Sequence, residues 1–206
     1  MTEYILWHDK ETRDLDKTDR PVVLEDYWQL TDITATHTFF TRHDLYPASL
    51  RRRAKFMMSP LVEKMHTESG LLAELQASTS NLTYGEVEKE LIDTIGELIP
   101  LTASKFDGTR HTSNGDHIYL GGSGVSHFDR YIINRLMPDL DQLLHYSDAA
   151  DVGITRRQFQ FAGSLELNTT YPFVEPRHRA KDDVEQSIAT YRIFQQFMAG
   201  FVQPTS

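Results

Sequence analysis

The stretch Lys105–Arg135, K-F-D-G-T-R-H-T-S-N-G-D-H-I-Y-L-G-G-S-G-V-S-H-F-D-R-Y-I-I-N-R, decides how this chain is read. It predicts a turn-rich loop, a short strand over His117 to Leu120, a glycine turn at Gly121, Gly122 and Gly124, and a helix opening at Ser126. Such a strand-turn-helix leaves backbone N–H groups unpaired at the positive end of a helix, where an anion binds. Gly121, Gly122, Ser123, Gly124 and Ser126 are therefore candidate ligand-binding residues for a phosphate, with Arg110 and Arg130 as candidate cations. His127 and His117 are the candidate acid–base residues, because histidine titrates close to cellular pH. The match to known signatures is incomplete. G-G-S-G-V-S satisfies neither the P-loop nor the dinucleotide pattern, and a nucleophile elbow would need glycine where Val125 stands.

On the N-terminal side, Glu3 to His8 form an apolar run suited to a strand, followed by a charge-dense segment from Asp9 to Arg20 that reads as an exposed loop. The segment from Pro21 to Phe40 carries mixed helix and strand signals. From Pro47 the pattern is helical, with Pro60 suited to a first helical turn. Thr83-Tyr-Gly-Glu86 forms a capping box in front of a helix whose apolar positions Val87, Leu91, Ile95 and Leu98 share one face.

On the C-terminal side, Phe128, Ile132 and Leu136 continue at helical spacing until Pro138 kinks or restarts the helix. Leu140, Leu143 and Leu144 extend the apolar face to about Tyr146. The runs R-R-Q-F-Q-F and S-L-E-L-N then suggest a β-hairpin. A last helix begins near Asp182, with Val184, Ile188, Tyr191, Phe194 and Met198 as its buried stripe, and Ile193, Phe197, Phe201 and Val202 add apolar surface beyond it. The fold expected is α+β: a single globular domain over residues 1–206, predominantly helical, with a few short strands including that C-terminal-half hairpin.

Lys and Arg number 21 against 30 Asp and Glu, for a formal charge of −9, which disfavours bulk nucleic-acid binding. Cysteine is absent, which excludes disulfides, thiolate metal ligands and a cysteine nucleophile. With no leader-like or membrane-spanning segment in view, a cytoplasmic location is expected.

Metal chemistry has three weaker sources. These are the tetrads Glu63-Lys-Met-His66 and Glu175-Pro-Arg-His178, the carboxylate row Glu86, Glu90, Asp93 and Glu97, and the loop residues His111, Asp116 and His117. Basic clusters occur at Arg51 to Lys55, at Arg156 and Arg157, and at Arg177 to Lys181. No motif specifies a cofactor.

The leading expectation is a cytosolic, non-enzymatic interaction or assembly protein, with the aromatic terminal helix and the basic clusters contacting a protein partner or a second copy. The alternative is an enzyme or sensor for a phosphate-bearing small molecule at Gly121–Ser126. A metal-binding protein is the third reading.

Overall fold

The computed structural model describes residues 2–14, 21–51, 58–103, 110–113, 115–161 and 176–200. Its strands are β1 (Glu3–Thr12), β2 (Val23–Asp32), β3 (Thr38–Leu45), β4 (Leu101–Ala103), β5 (Arg110–Thr112), β6 (His117–Gly122) and β7 (Leu144–Asp151). Its helices are α1 (Pro47–Arg51), α2 (Pro60–Glu68), α3 (Leu71–Ala77), α4 (Tyr84–Leu98), α5 (Asp129–Leu136), α6 (Pro138–Leu143), α7 (Val152–Phe161) and α8 (Ala180–Ala199).

Five strands make one mixed sheet of order β3-β2-β1-β6-β7, in which β2 runs antiparallel to both β3 and β1 while β6 and β7 continue parallel to β1. Helices cover both faces. On one, Val87, Leu91 and Ile95 of α4 and Ile132 and Ile133 of α5 pack against Leu6, Trp28, Leu30, Ile118 and Leu120. On the other, Val184, Ile188 and Phe194 of α8 and Val152 of α7 pack against Ile5, Trp7 and Tyr27. A third cluster joins Leu24 to Val62, Leu71 and Leu75 of α2 and α3. Each large apolar side chain withdrawn from water in this way contributes roughly 1.5–3 kcal/mol.

This mixed α/β architecture corrects the expectation of a predominantly helical α+β domain. The charge-dense segment after His8 is not all loop: β1 runs on through Asp9, Lys10, Glu11 and Thr12. The ambiguous segment from Pro21 holds β2 and β3, whose apolar alternation is broken by Glu25 and Asp26, both 0% exposed. Leu144 onward is not the end of a helix but the parallel edge strand β7. Arg156 to Phe161, expected in a hairpin, is helical within α7, and the proposed second strand at residues 164–168 lies outside the described residues.

Other local signals match. The Thr83 hydroxyl accepts from the Glu86 amide while the Glu86 carboxylate accepts from the Thr83 amide, as the capping box requires. Pro60 stands in the first turn of α2 behind the Ser59 cap, and Pro138 restarts the helix as α6. The helix after the glycine turn begins at Asp129 rather than Ser126, with Val125 to Phe128 forming a turn. In α8, Met198 is exposed although its stripe neighbours Val184, Ile188 and Phe194 are buried. Among the described residues no helix is long and apolar enough to cross a membrane.

The glycines at the end of β6 let strands and loop close together. A Cβ on Gly121 would stand 2.4 Å from Cγ2 of Ile5 and 2.7 Å from Cε3 of Trp7. Gly121→Ala therefore overpacks the sheet–α8 interface and is expected to cost about 1–3 kcal/mol, read as a lowered midpoint in thermal or urea unfolding. A midpoint equal to the parent's would show that this contact relaxes freely.

Candidate active site

Alternation along β1 sends Ile5, Trp7, Asp9 and Glu11 toward the α8 side and Leu6, His8 and Lys10 toward the α4–α5 side. The apolar part of the strand is covered by α8. Past Trp7 the same face opens into a cleft of about 1170 Å³, and there Asp9 and Glu11 stand side by side. Asp129 reaches the cleft from the first turn of α5, where it is 3% exposed. Asp183, in the first turn of α8, and His178, just before that helix, complete the lining. This location, at the carboxyl ends of parallel strands, is where open α/β sheets form their sites.

Asp183 holds the approach to α8 in shape. Its carboxylate accepts the amides of Arg177 at 2.9 Å and His178 at 3.1 Å. His178 has φ of 55°, a left-handed conformation that costs a residue with a side chain on the order of 1–3 kcal/mol and recurs at functional sites. Ligand atoms of Glu11, His178 and Asp183 lie within 4.8 Å of one another.

Burial dominates the electrostatics, with repulsion from neighbouring carboxylates added at Asp9 and Glu11. The Asp9 carboxyl is pushed well above the usual carboxylate range by burial, then by the charges of Asp129, Glu11 and Asp183. Glu11 is pushed up to about 8 by burial, then by Asp183, Glu25 and Asp129. Asp129 is raised to about 6, chiefly by burial, and Asp183 is raised by the same cause. Oδ1 of Asp129 is buried and has no hydrogen-bond partner among the described residues. Four carboxyls raised by burial, two of them further by their neighbours and one with an orphaned oxygen, fit a divalent cation: oxygen ligands and surplus negative charge are what Mg²⁺ or Mn²⁺ requires.

The glycine turn has a different occupant from the one expected. The Asp151 carboxylate, at the end of β7, accepts the amides of Gly124 at 3.0 Å, Ser126 at 3.1 Å, Gly153 at 3.0 Å and Ile154 at 3.1 Å. Burial alone would raise its pKa; the amides of Gly124, Ser126 and Ile154 outweigh burial and hold it below the ordinary value. The anion on these amides is therefore internal. Gly121 and Gly122 are buried in β6, whereas Ser123 and Gly124 reach the cleft next to Asp129.

Arg130 donates to Asp141 at 2.9 Å and to the His145 carbonyl at 2.6 Å. His117 packs edge-on against His145, and His127 is exposed beyond the turn. The Arg110 side chain lies outside the described residues. Arg130, His117 and His127 do not line the cleft.

Of the residues weighed for metal, His178 enters the cluster, while Glu175 lies outside the described residues. His66 is buried behind it, its Nε2 2.8 Å from the Thr12 carbonyl and its Nδ1 3.8 Å from Glu11, so it buttresses the end of β1. Glu63 instead faces a separate cavity with Leu72 and Leu75. Asp116 accepts the Thr2 amide at 2.6 Å, and among the described residues it forms no metal-type cluster with His111 and His117. Asp9, Glu11, Asp129 and Asp183 were missed by sequence reasoning. The signal for the first two was present: two carboxylates at i and i+2, at the end of an apolar run, share one face of a strand.

Three relatives are oligoribonucleases. The chain is 30% identical over 152 residues to an oligoribonuclease of Nocardia farcinica (strain IFM 10152), covering 71% of this chain and 59% of that protein. It is 31% identical over 147 residues to an oligoribonuclease of Rhodococcus jostii (strain RHA1), covering 68% and 61%. An oligoribonuclease of Mycobacterium sp. (strain KMS) is 30% identical over 155 residues, with coverage of 71% and 59%. The chain thus spans about three fifths of the length of the curated relatives it matches. Its fold resembles that of the zinc-bound form of the Escherichia coli ExoI–ssDNA complex, with a TM-score of 0.51 at 12% identity, over 95% of this chain and 41% of that one. No family model matches the chain.

These findings overturn the expectation of a non-enzymatic interaction or assembly protein and favour the enzyme alternative. Part of the apolar excess of the last helix is used inside the chain: Ile193 and Phe194 line the cleft, and Phe159 of α7 stacks on Phe194 and meets Phe197 edge-on, while Phe201 and Val202 lie outside the described residues. The expectation that nucleic acid is disfavoured is likewise overturned. It averaged charge over the chain and counted as repulsive the very carboxylates that a cation would neutralise.

A raised carboxyl binds its proton more tightly folded than unfolded, so the folded state loses stability as pH climbs from the unfolded value toward the folded one. For Glu11 that window runs from about 4.3 to about 8. Asp9, Asp129 and Asp183 act in the same direction, whereas the depressed Glu25 and Asp151 lose their contribution only below about pH 4. Cation-free protein is therefore expected to melt lower at pH 8 than at pH 5.5, and Mn²⁺ to raise the midpoint more at pH 8. Glu11→Gln should shrink both differences. A midpoint independent of pH and of Mn²⁺ would contradict the cluster's electrostatics.

Proposed function

We propose that the protein is a divalent-cation-dependent nuclease that hydrolyses phosphodiester bonds in short single-stranded RNA. The observation that carries this reading is the convergence of Asp9, Glu11, Asp129, Asp183 and His178, from three separate segments, on one cleft. The similarity to oligoribonucleases supports the substrate class.

Asp9, Glu11, Asp129 and Asp183 would hold the cation through oxygen. Bound there, a divalent cation supplies positive charge to the scissile phosphate and to the attacking water. His178, close to Glu11 and Asp183, takes the proton from that water as general base. The water oxygen bonds to phosphorus as the bond to the leaving nucleotide's oxygen breaks; that oxygen takes a proton from solvent, giving a phosphomonoester and a hydroxyl, and His178 releases its proton to solvent. Lys64, Arg156 and Arg177 line the same cleft, placing cationic side chains beside an acidic centre, where the strand's other phosphates would lie. Leu61, Phe128 and Phe159 add apolar surface suited to bases. The cleft slightly exceeds the roughly 300–1,000 Å³ of small-molecule pockets, as a substrate of more than one nucleotide requires.

The test is hydrolysis of an end-labelled pentaribonucleotide with Mg²⁺ or Mn²⁺. Wild-type protein is expected to shorten it, Asp9→Asn and Asp183→Asn to be inactive, and chelation to stop the reaction. His178→Ala should lower kcat by about 10²–10⁴-fold while Mn²⁺ still binds. Full activity in Asp9→Asn, or no cleavage by the wild type with either cation, would reject the assignment.

A further inference from the structure

We propose that the Glu25–Arg179 ion pair is a positioning device for His178, acting on catalysis through the imidazole; the proposal rests on the nuclease reading of the cleft. Glu25 lies in β2 opposite Glu11 of β1 and is fully buried. Both of its oxygens are engaged. Arg179 Nε lies 3.2 Å from each oxygen, Arg179 Nη2 lies 2.9 Å from Oε1, and the Ala180 amide donates to Oε2 at 3.1 Å. His43 Nε2 is 2.7 Å from Oε1, and Arg179 also bonds Glu74 of α3. A guanidinium fork laid on a carboxylate fixes angle as well as distance, so Arg179 is fixed in direction.

His178 is the next residue back along the chain. It must be held at its left-handed φ of 55°, because isolated residues with side chains rarely stay there. Two anchors flank it. Asp183 takes the amides of Arg177 and His178, and Glu25 takes the side chain of Arg179 and the amide of Ala180. Asp183 is itself a candidate cation ligand, so its grip on the loop changes with what the cleft holds. Neither Glu25 nor Arg179 lines the cleft, so this second anchor is made by side chains that are not candidate cation ligands. It also gives the buried Glu25 carboxylate a partner of opposite charge, so the acidic cluster next to it does not gain another uncompensated anion.

A double-mutant cycle tests this: kcat and KM for the pentaribonucleotide at saturating Mn²⁺ in wild type, Arg179→Lys, His178→Ala and the double variant. Lysine keeps the charge and loses the fork. Arg179→Lys is expected to lower kcat on the order of 10- to 100-fold with KM changed less than about twofold. In the His178→Ala background the same change should alter kcat less than about twofold, because the group it positions is gone. Glu25→Gln should repeat the pattern, and takes the place of Arg179→Lys if that variant fails to show a cooperative unfolding transition. Equal losses in both backgrounds, or an unchanged kcat with His178 present, overturn the clamp alone. A wild-type rate in His178→Ala overturns the base role, and the clamp's catalytic role with it.

Discussion

Strand β1 must satisfy two faces at once. It is the central strand, with β2 on one side and β6 on the other, and Ile5, Leu6, Trp7 and His8 are each fully buried. Side chains that alternate between two helical layers can remain apolar only as far as the helices reach. On the α8 side, cover ends after Trp7, whose indole meets Tyr191 edge-on and donates to the Thr31 hydroxyl at 2.9 Å. Asp9 and Glu11 continue that face into the cleft. The rigidity of the central strand is thus transmitted to two carboxylates without any loop between core and site, which is how a site holds its geometry to a fraction of an ångström.

The opposite face of the same segment carries a buried polar layer. His8 stacks on Trp28 with ring centroids 3.6 Å apart, and Lys10 lies 3.8 Å from Asp26 and over the Trp28 ring. The Tyr46 hydroxyl donates to Asp26 at 2.9 Å. Burial lifts Asp26 to about 7, against the lowering pull of Lys10 and the Tyr46 hydrogen bond. Lys10 also pulls down Asp9 and Asp129, so one lysine between the two carboxylates moderates charges on both sides of the strand. A buried lysine pays its desolvation only where anions surround it, and here three do.

Much of the local structure was legible: the capping box at Thr83, the restart at Pro138, the strand into Gly121 and the terminal helix. What failed shares a cause. Charge was read as solvent exposure, yet Glu25, Asp26, Asp9 and Glu11 are charged because they serve the buried clamp, the polar layer and the cleft. That reading hid β2 and the end of β1, and with them the sheet. His178 and Asp183 are five apart, a spacing that shares no helix face. They meet only because the chain turns at His178 and Asp183 reaches back to its amide. In the glycine turn the amides of Gly124 and Ser126 meet the carboxylate of Asp151, 25 to 27 residues further along the chain.

On the nuclease reading, the four carboxylates of the cleft hold a cation. Anomalous diffraction from crystals grown with Mn²⁺ would locate it. The expected result is a manganese peak bounded by Asp9, Glu11, Asp129 and Asp183, with His178 beside it and the Gly124 and Ser126 amides still on Asp151. A saturated crystal with no peak in that cleft, or with manganese bound only elsewhere, would contradict it.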